Sequence, residues 1–339
     1  MNYAQQLTHL IERQDLPYAE MSELMHQIMG GHYTTAQIAA VLVALRMKGE
    51  TVDEIAAAAE VMRDLSSKVE VKHSDHLIDT CGTGGDGAQT FNISTAAALV
   101  AAAAGAHVAK HGGRSVSSTC GSADVLEKLG VNVNLTPEKV AHSVDSIGVG
   151  FMFAPNHHSA MKHAAPVRKE LGVRTLFNML GPLTNPASAP NQVVGVFRRD
   201  LTVKLAEVLR KLGGARVMVV HGSDGMDEIS ISAPTFVAEL ENGKITEYTI
   251  QPEQFGLKPA PLNAIQVGNA DESRAMLLGV LDNQLSAARD IVLLNAGAAI
   301  YIAGLASTLE DGVKKAEEVI ADGAAKAKLG ALVQLSNQG

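Results

Sequence analysis

Hydrophobic residues recur at helical spacing through the first sixty-odd positions, and no strand-like alternation interrupts them. Thr34 or Thr35 can cap one of these helices, because a threonine hydroxyl accepts hydrogen bonds from the free amides of a helix N-terminus. Thr51 followed by Glu54 forms a capping box that opens a second, alanine-rich helix. The pattern predicts a small all-helical domain over residues 1–68.

From about residue 76 the pattern changes to short β-rich runs that alternate with helices, which is typical of βαβ units. The predicted strands are residues 77–79, 108–109, 131–133, 149–153, 192–197 and 217–220, and two helices between them are residues 95–104 and 123–129. Asn242 and Gly243 predict a tight hairpin between two later β-rich runs. Beyond Glu272 the spacing is helical almost to the end of the chain.

These runs predict an α/β protein in which a small all-helical domain accompanies a larger α/β domain with a mainly parallel central sheet. The larger domain is expected to span residues 72–339. Residues 160–185 return to helical spacing, so part of this segment is expected to complete the helical domain. With 339 residues, 46% of them hydrophobic and 19% charged, the chain is long enough for about two ordered domains.

Charge and cysteine content narrow the classes of function. A formal net charge of -8 argues against a broad basic surface, so no nucleic-acid partner is expected. Cys81 and Cys120 cannot build a disulfide framework, and the N-terminus lacks the basic and apolar regions of a signal peptide. The longest apolar runs are shorter than the ~20 residues that a membrane-spanning helix needs. These features predict a reduced, cytoplasmic protein that does not enter a membrane.

Residues 79–87 read DTCGTGGDG and lie between a predicted strand and an alanine-rich helix. Gly82, Gly84 and Gly87 fit the dinucleotide fingerprint, but Asp86 lies where a pyrophosphate would sit and no acidic residue follows ~20 positions later. Glycines let the backbone approach a ligand closely, and the next helix opens with hydroxyl and amide side chains that can donate hydrogen bonds. The segment predicts a phosphate site, with a tight turn that requires glycine as the alternative.

A second loop follows at residues 110–118, which read KHGGRSVSS. Two cations, a histidine and three serines are separated by glycines, a composition that can surround an anion. Ser122 is predicted to cap the next helix and to face the same ligand. No aromatic residue interleaves, so stacked bases are not expected. A solvated basic loop is the alternative.

Asp224, Asp227 and Glu228 place three carboxylates within five residues after the strand predicted at 217–220. Such carboxylates repel one another unless a hard cation or solvent lies between them. Magnesium that bridges a phosphorylated substrate would fit, whereas the spacing of an EF-hand is missing. A plain acidic turn is the alternative.

Residues 156–163 read NHHSAMKH and lead to Arg168. The histidines suggest zinc, but no spacing matches HExxH or paired CxxC motifs. Arg168 can clamp a carboxylate through two parallel hydrogen bonds, although a solvated helix face is the commoner role for such a residue. No GxSxG, CxxC or GxxxxGK[ST] motif is present. Together the motifs predict handling of a phosphorylated and pyrophosphorylated sugar beyond the strand ends.

The motifs resemble those of the anthranilate phosphoribosyltransferase family over nearly the whole chain. The motifs are DTCGTGGD at 79–86, FNIST at 91–95, KHGGRSVSS at 110–118, GSAD at 121–124, APVRKELG at 165–172, NMLGPL at 178–183 and DE at 227–228. The resemblance implies the nucleoside phosphorylase-like fold and a homodimer. It also implies magnesium-dependent transfer of the phosphoribosyl group from 5-phosphoribosyl 1-pyrophosphate (PRPP) to the amine of anthranilate, a step of tryptophan biosynthesis.

The resemblance also implies site residues. Substrates would be bound by Gly82, Gly85, Asp86, Thr90, Asn92, Ile93, Ser94, Thr95, Lys110, His111, Gly112, Gly113, Arg114, Ser115, Val116, Ser117, Ser118, Ser122 and Arg168. Magnesium would be held by Ser94, Asp227 and Glu228. Arg168 would face the anthranilate carboxylate, which Gly82 and His111 would also border. The residues implied to carry catalysis are Lys110, Arg168, Asp227 and Glu228.

Two departures from the family pattern concern the acceptor substrate. Gly113 stands where the family usually has asparagine, and Ser159 stands where proline is expected. These changes bear on anthranilate affinity rather than on the type of reaction. Two rival functions remain at this point: a pyrimidine nucleoside phosphorylase-like enzyme, and a non-enzymatic paralogue that binds nucleic acid.

Overall fold

The computed structural model describes residues 1–114 and 120–338. Four helices open the chain: α1 (Tyr3–Ile11), α2 (Tyr18–Met29), α3 (Thr35–Lys48) and α4 (Val52–Asp64). Of the two candidate caps of α3, Thr34 is the one used, and its hydroxyl accepts from the Gln37 amide at 3.3 Å. The predicted capping box of Thr51 and Glu54 opens α4 and is confirmed.

A seven-stranded sheet forms the centre of the described part of the chain. Its strands are β1 (Leu77–Asp79), β2 (His107–Gly112), β3 (Val149–Phe153), β4 (Asn191–Gly195), β5 (Arg216–Gly222), β6 (Thr235–Glu241) and β7 (Lys244–Ile250). The strand order is β3-β2-β1-β4-β5-β6-β7, and β1 to β5 pair in parallel while β6 and β7 are antiparallel. Asn242 and Gly243 turn the predicted hairpin with φ of 52° and 75°, the left-handed conformation that such turns need.

Helices surround this sheet and continue to the C-terminus. They are α5 (Ile93–Ala103), α6 (Ser122–Lys128), α7 (Pro137–Ile147), α8 (Ala154–His157), α9 (Ala165–Leu171), α10 (Phe177–Leu180), α11 (Leu201–Lys211), α12 (Ala270–Leu281), α13 (Ala287–Ile302), α14 (Leu309–Ala321) and α15 (Ala324–Ser336). No helix in the described ranges is both long and apolar enough to span a bilayer.

Strand β5 shows how the sheet separates two hydrophobic layers. Met218 and Val220 belong to the cluster that contains α5 and α13, whereas Val217 and Val219 belong to the cluster that contains α2 to α4 and α11. Alternate side chains of a strand point to opposite faces, so a strand covered on both faces is apolar throughout. The second cluster also includes residues of α9 and α10, which brings the chain that follows β3 back to the first four helices.

Several predicted elements were wrong in extent. Strand β2 runs from His107 to Gly112, so the first three residues of the predicted basic loop belong to the strand. Residues 131–133 pair with no strand of the described sheet, although Val131 and Val133 are buried as the alternation suggested. The Asn132 amide instead donates to the hydroxyl of Ser336 on α15. Helix α5 begins at Ile93 rather than at residue 95. Gly121, not Ser122, is the capping residue of α6, and Ser122 is its first helical residue.

Candidate active site

The candidate loops leave the sheet at one edge. Strands β1, β2, β4 and β5 run parallel, so their carboxyl ends meet on the same side of the molecule. The glycine-rich loop follows β1 and the acidic loop follows β5, whereas the basic segment predicted at residues 110–118 begins inside β2, which runs to Gly112. The crevice at the carboxyl ends of parallel strands is the usual place for ligands in such sheets.

The glycine-rich loop adopts a conformation that few other residues tolerate. Gly84, Gly85 and Gly87 have φ of 65°, 77° and 76°, so the predicted requirement for glycine in this turn is confirmed. The Asp86 carboxylate folds back on the loop and accepts from the Ala88 amide at 3.1 Å. Thr90, where the loop ends, forms an isolated bridge that aligns it with residue 266.

Lys110 on β2 reaches the glycine-rich loop and α5. Its side chain is buried, and the ammonium donates to the Thr80 carbonyl at 2.6 Å and to the Ser94 hydroxyl at 3.2 Å. These bonds leave one of the three ammonium hydrogens uncommitted. The lysine charge therefore lies at the start of α5, between two of the predicted phosphate-binding segments.

The acidic loop lies directly on the glycine-rich loop. The Gly84 amide donates to Asp227 Oδ2 at 2.7 Å, and a Cβ atom at Gly82 would lie 2.6 Å from the same oxygen. A Cβ atom at Gly195, where β4 ends, would lie 1.5 Å from the Asp227 carbonyl oxygen. Only glycine at these two positions lets Asp227 approach so closely.

Burial and mutual repulsion shift the pKa values of the carboxyl groups where the acidic loop meets the glycine-rich loop. Burial, and then the charge of Asp86, raise the pKa of Asp227 to about 7. Burial, and then the charge of Asp227, raise the pKa of Glu228 well above its ordinary value, while Lys110 opposes the shift. The Ser94 amide also donates a hydrogen bond to Glu228. A cation placed among these oxygens would relieve the repulsion.

Asp224, the third carboxylate of the predicted cluster, has a different role. It accepts from the Ser230 hydroxyl at 2.6 Å, from the Met226 amide at 3.3 Å and from the hydroxyl of Ser232. These bonds tie the acidic loop to itself. Within residues 1–114 and 120–338, no group of three or more His, Cys, Asp or Glu side chains is arranged to hold a metal ion by itself.

Several residues that were predicted to bind substrate lie at the start of α5, and they differ in burial and hydrogen bonding. The Asn92 amide donates to the Cys120 carbonyl at 3.1 Å, and its oxygen accepts from the Ser273 hydroxyl at 2.7 Å. Asn92 thus joins α12 to the end of the basic loop. The Thr95 hydroxyl is buried without a hydrogen-bond partner in the described chain. The Ile93 side chain is buried in the core, so it has only main-chain atoms to offer.

The basic loop is described on both sides of residues 115–119. Gly112 lies against α6, since a Cβ there would be 3.2 Å from that of Ser122, and the Gly113 carbonyl accepts from the Ala123 amide at 3.1 Å. Arg114 is held by Asp124 at 3.1 Å and by both carboxylate oxygens of Glu127, at 2.6 and 2.7 Å. The predicted ligands Ser115, Val116, Ser117 and Ser118 lie outside the described residues.

His111 forms a buried pair with His158, with ring centroids 5.1 Å apart. Its Nδ1 lies 3.1 Å from the Gly181 carbonyl, which can only accept, so Nδ1 carries the proton. Burial, and then the charge of His158, lower the pKa of His111 to about 3. Its Nε2 is therefore an acceptor, and it has no partner among the described residues.

Arg168 lies on α9 with its guanidinium 5.4 Å from the centre of the Phe177 ring on α10. It forms no ion pair with any residue that the structure describes, and burial lowers its pKa. Helix α10 leads to Gly181, whose carbonyl contacts His111. The chain segment that carries Arg168 therefore reaches the basic loop through α10.

The structure adds supporting residues that the sequence patterns did not single out. Asp79 is fully buried at the end of β1, where it accepts from the His111 amide at 3.1 Å and from the Asn185 side chain at 2.7 Å. Burial raises the pKa of Asp79 to about 6. Asp79 was visible in its motif, but nothing near Asn185 or Ser273 in the sequence points to partners so far along the chain.

Two parts of the chain match the two domains of one known protein family. Residues 4–66 match the helical bundle domain of a glycosyl transferase family, and residues 74–326 match the a/b domain of that family. Among curated relatives, the anthranilate phosphoribosyltransferase of Thiobacillus denitrificans is 62% identical over 98% of this chain and 97% of its own length. That of Nitrosomonas europaea is 58% identical over 100% and 99%.

Solved structures agree with these relatives. The crystal structure of anthranilate phosphoribosyltransferase from Thermus thermophilus matches with a TM-score of 0.93 and 44% identity, over 98% of this chain and 99% of that one. The Saccharomyces cerevisiae enzyme in complex with PRPP and Mg matches with a TM-score of 0.90 and 26% identity, over 98% and 97%.

Proposed function

Since this chain belongs to the anthranilate phosphoribosyltransferase family, we propose that it transfers the phosphoribosyl group of PRPP to the amine of anthranilate. The reaction releases pyrophosphate and gives N-(5-phosphoribosyl)anthranilate, an intermediate of tryptophan biosynthesis. One observation supports the proposal above the others: the glycine-rich loop, Lys110, Ser94 and the acidic loop contact one another directly. Segments far apart in sequence thus surround one crevice at the strand ends.

The proposed chemistry is a substitution at C1 of the ribose. The amine nitrogen of anthranilate forms a bond to C1, the bond from C1 to the pyrophosphate oxygen breaks, and pyrophosphate leaves with the electron pair. The aromatic amine is neutral near pH 7 and loses its proton to solvent after attack, so a strong general base is not required. The chain then contributes mainly orientation and charge stabilisation.

Lys110 is proposed to stabilise the negative charge of the departing pyrophosphate. Its ammonium is fixed by Thr80 and Ser94, so little reorganisation is needed when charge develops nearby. The amides of the glycine-rich loop and the start of α5 are proposed to bind the phosphate oxygens. The ligands proposed there are Gly82, Gly85, Asp86, Thr90, Asn92, Ile93, Ser94 and Thr95, with residues 110–118 and Ser122 facing them.

Ser94, Asp227 and Glu228 are proposed to hold magnesium together with oxygens of the pyrophosphate and water. The oxygen donors fit, because Mg²⁺ usually binds through one or two carboxylates and substrate phosphates. The raised pKa values of Asp227 and Glu228 indicate carboxylates crowded together that a divalent cation would stabilise in their charged form. When bound, the ion would neutralise negative charge on the leaving group.

Arg168 is proposed to bind the anthranilate carboxylate, since its guanidinium is partly buried and has no ion-pair partner in the described chain. His111 is proposed to border the same substrate, and its unpartnered Nε2 can accept from the arylamine N–H. Gly113 leaves space where the family usually has an amide side chain, because a Cβ there would meet nothing within 4 Å.

We further propose a homodimer that works in the cytoplasm. The outer face of α3 supports the dimer, because Val43 and Met47 are 36% and 70% exposed and lie one helical turn apart. Ile11 on α1, which packs against α3, is also 66% exposed. The domain boundaries remain those predicted, residues 1–68 with part of 160–185 against 72–339, and the cluster shared by α2 to α4, α9 and α10 supports them.

The reaction is tested with the full chain, Mg²⁺, PRPP and anthranilate. We expect anthranilate fluorescence to fall as pyrophosphate is released in equal amount, and omission of PRPP to prevent both changes. Phosphorolysis of thymidine or uridine without turnover of anthranilate would instead support the nucleoside phosphorylase alternative.

The double substitution Asp227→Asn with Glu228→Gln should reduce kcat by at least about a hundredfold at saturating Mg²⁺, because several kcal/mol of charge stabilisation depend on the metal. Asp271→Asn with Glu310→Gln, both in exposed ion pairs, is the matched control and should leave kcat unchanged. Near wild-type turnover of the first variant would show that these carboxylates do not hold the metal.

A further inference from the structure

A second polar cavity lies between the helical domain and the α/β domain. It is lined by Arg46 and Glu50 at the end of α3, by Arg174 and Thr175 before α10, and by Arg198 and Lys204 after β4. None of these residues is among those proposed above to bind PRPP, anthranilate or magnesium.

Two polar side chains that line the cavity are buried and lack partners. Glu50 is 5% exposed and Thr175 is 3% exposed, yet neither Glu50 Oε1 nor Thr175 Oγ1 has a hydrogen-bond partner in the described chain. A buried polar atom without a hydrogen-bond partner destabilises a fold, so such atoms in a native structure call for an explanation. Both residues line the same cavity.

The lining carries an excess of positive charge. Four cations, Arg46, Arg174, Arg198 and Lys204, accompany the single carboxyl of Glu50. Arg198 is paired with Asp200, at 2.8 and 2.5 Å. Arg46 forms no ion pair with the residues described. The Lys204 ammonium donates one hydrogen bond to the Glu50 carbonyl at 2.8 Å. Donors and positive charge therefore remain for an anion.

We propose that this cavity is a second anion site that binds a small phosphate-class anion, inorganic phosphate or pyrophosphate. Guanidinium groups and a hydroxyl are the donors that recognise phosphate oxygens. Burial also raises the pKa of Glu50, so a negative charge on this carboxyl is disfavoured within the cavity wall.

Arg174 joins this cavity to the glycine-rich loop. Its guanidinium lies 4.3 Å from the centre of the Phe197 ring and donates to the carbonyl oxygen of Gly85. An anion in the cavity would therefore compete with the Gly85 carbonyl for hydrogen bonds from the same guanidinium. Occupancy of the cavity should weaken the support of the loop and raise the KM for PRPP, if the loop binds PRPP as proposed.

The site is measured by calorimetric titration of inorganic phosphate into the full chain, first alone and then with PRPP and Mg²⁺ at saturation but without anthranilate. We expect phosphate still to bind when PRPP is saturating, with an affinity lowered by the same factor by which phosphate weakens PRPP binding. Arg46→Gln and Lys204→Gln should each weaken phosphate binding about tenfold or more, because each removes a charge-assisted hydrogen bond to the anion. Parallel titrations without PRPP compare phosphate with pyrophosphate.

Arg210→Gln is the matched control, because Arg210 is exposed at the end of α11 and makes no ion pair within the described ranges. Its phosphate affinity should equal that of the wild type. Arg46 is also exposed, so its substitution leaves the fold intact, and thermal melting checks Lys204→Gln. Loss of phosphate binding under saturating PRPP, or equal affinity in all three variants, would overturn the proposal while leaving the catalytic assay untouched.

Discussion

Lys110 illustrates how one side chain can hold several parts of the candidate site. Its ammonium joins β2 to the Thr80 carbonyl and to the first turn of α5, and its charge opposes the rise in the pKa of Glu228. The buried Asp79 carboxylate accepts a hydrogen bond from the His111 amide and so fixes the main chain next to Lys110. The site is thus positioned as much by main-chain contacts as by side-chain pairs. A substitution here changes several distances at once.

Arg168→Ala should raise the KM for anthranilate about tenfold or more while kcat and the KM for PRPP change little. The reason is the loss of a charge-assisted contact worth about 1.5–3 kcal/mol to the substrate carboxylate. Steady-state kinetics with each substrate varied in turn measures the effect. Lys169→Ala is the control, since Lys169 is exposed on the same helix. An unchanged KM for anthranilate would remove Arg168 from this role.

His158 should make the fold sensitive to acid. Burial lowers its pKa from 6.5 to about 4, so below pH 6.5 the unfolded chain binds a proton that the folded chain does not. Stability is therefore present above pH 6.5 and is lost as the pH falls, by up to about 1.4 kcal/mol per pH unit. His158→Gln should lose less stability than the wild type between pH 7 and pH 5 in urea unfolding.

His142→Gln is the control for this comparison, because His142 is an exposed histidine on α7. It should follow the wild-type pH dependence. Buried carboxyls such as Asp79 titrate in the same range with the opposite sign, so the difference between variants is the quantity to compare. Equal slopes for His158→Gln and the wild type would contradict the assignment of His158 as a neutral buried residue.

At the level of elements, helix ends and turns follow from neighbours in the sequence, whereas contacts between helices do not. The caps Thr34 and Thr51 act on amides three residues away. Helices α13 and α14, in contrast, approach at two glycines. A Cβ at Gly297 would lie 2.7 Å from the Val313 nitrogen, and one at Gly312 would lie 2.3 Å from the Gly297 carbonyl. Neither glycine ends a helix or forms a turn.

Gly297→Ala should destabilise the protein by about 1–3 kcal/mol, because the added methyl forces α13 and α14 apart. Gly330→Ala is the matched control: Gly330 lies inside α15 and a Cβ there meets nothing within 4 Å. That change should be neutral or stabilise by about 0.5–1 kcal/mol through helix propensity. Chemical denaturation of both variants measures the difference, and similar stabilities would contradict the close approach of the helices.

At the level of the whole molecule, α11 covers β5 and β6, α4 packs against α11, and an apolar face of α3 stays outside. This helix is apolar on nearly all sides, so one side packs inward while Val43 and Met47 stay exposed. A helix that is hydrophobic all round is normally buried, which is the physical reason to expect a second copy on this face.

Val43→Glu with Met47→Glu should convert the proposed dimer into a monomer, because two carboxylates would be buried against a second copy. Sedimentation velocity measures the change. Leu285→Glu is the control, since Leu285 is 86% exposed and lies between α12 and α13. A wild-type monomer, or a dimer that survives both substitutions, would contradict this interface.

The sequence by itself determined the features that depend on near neighbours: the capped helices, the hairpin at Asn242, the apolar run that marks β5 and the glycine loop that follows β1. Local hydrogen bonds and backbone preferences fix these, so they can be predicted from a few residues at a time. The strand predicted at residues 131–133 was wrong, because alternating apolar residues indicate which side chains are buried and do not show that the segment pairs with another strand. Only the tertiary structure places Asp227 on the amide of Gly84, 143 residues away, and Arg174 on the Gly85 carbonyl. Such contacts depend on how sheet and helices pack together, and no local pattern records that.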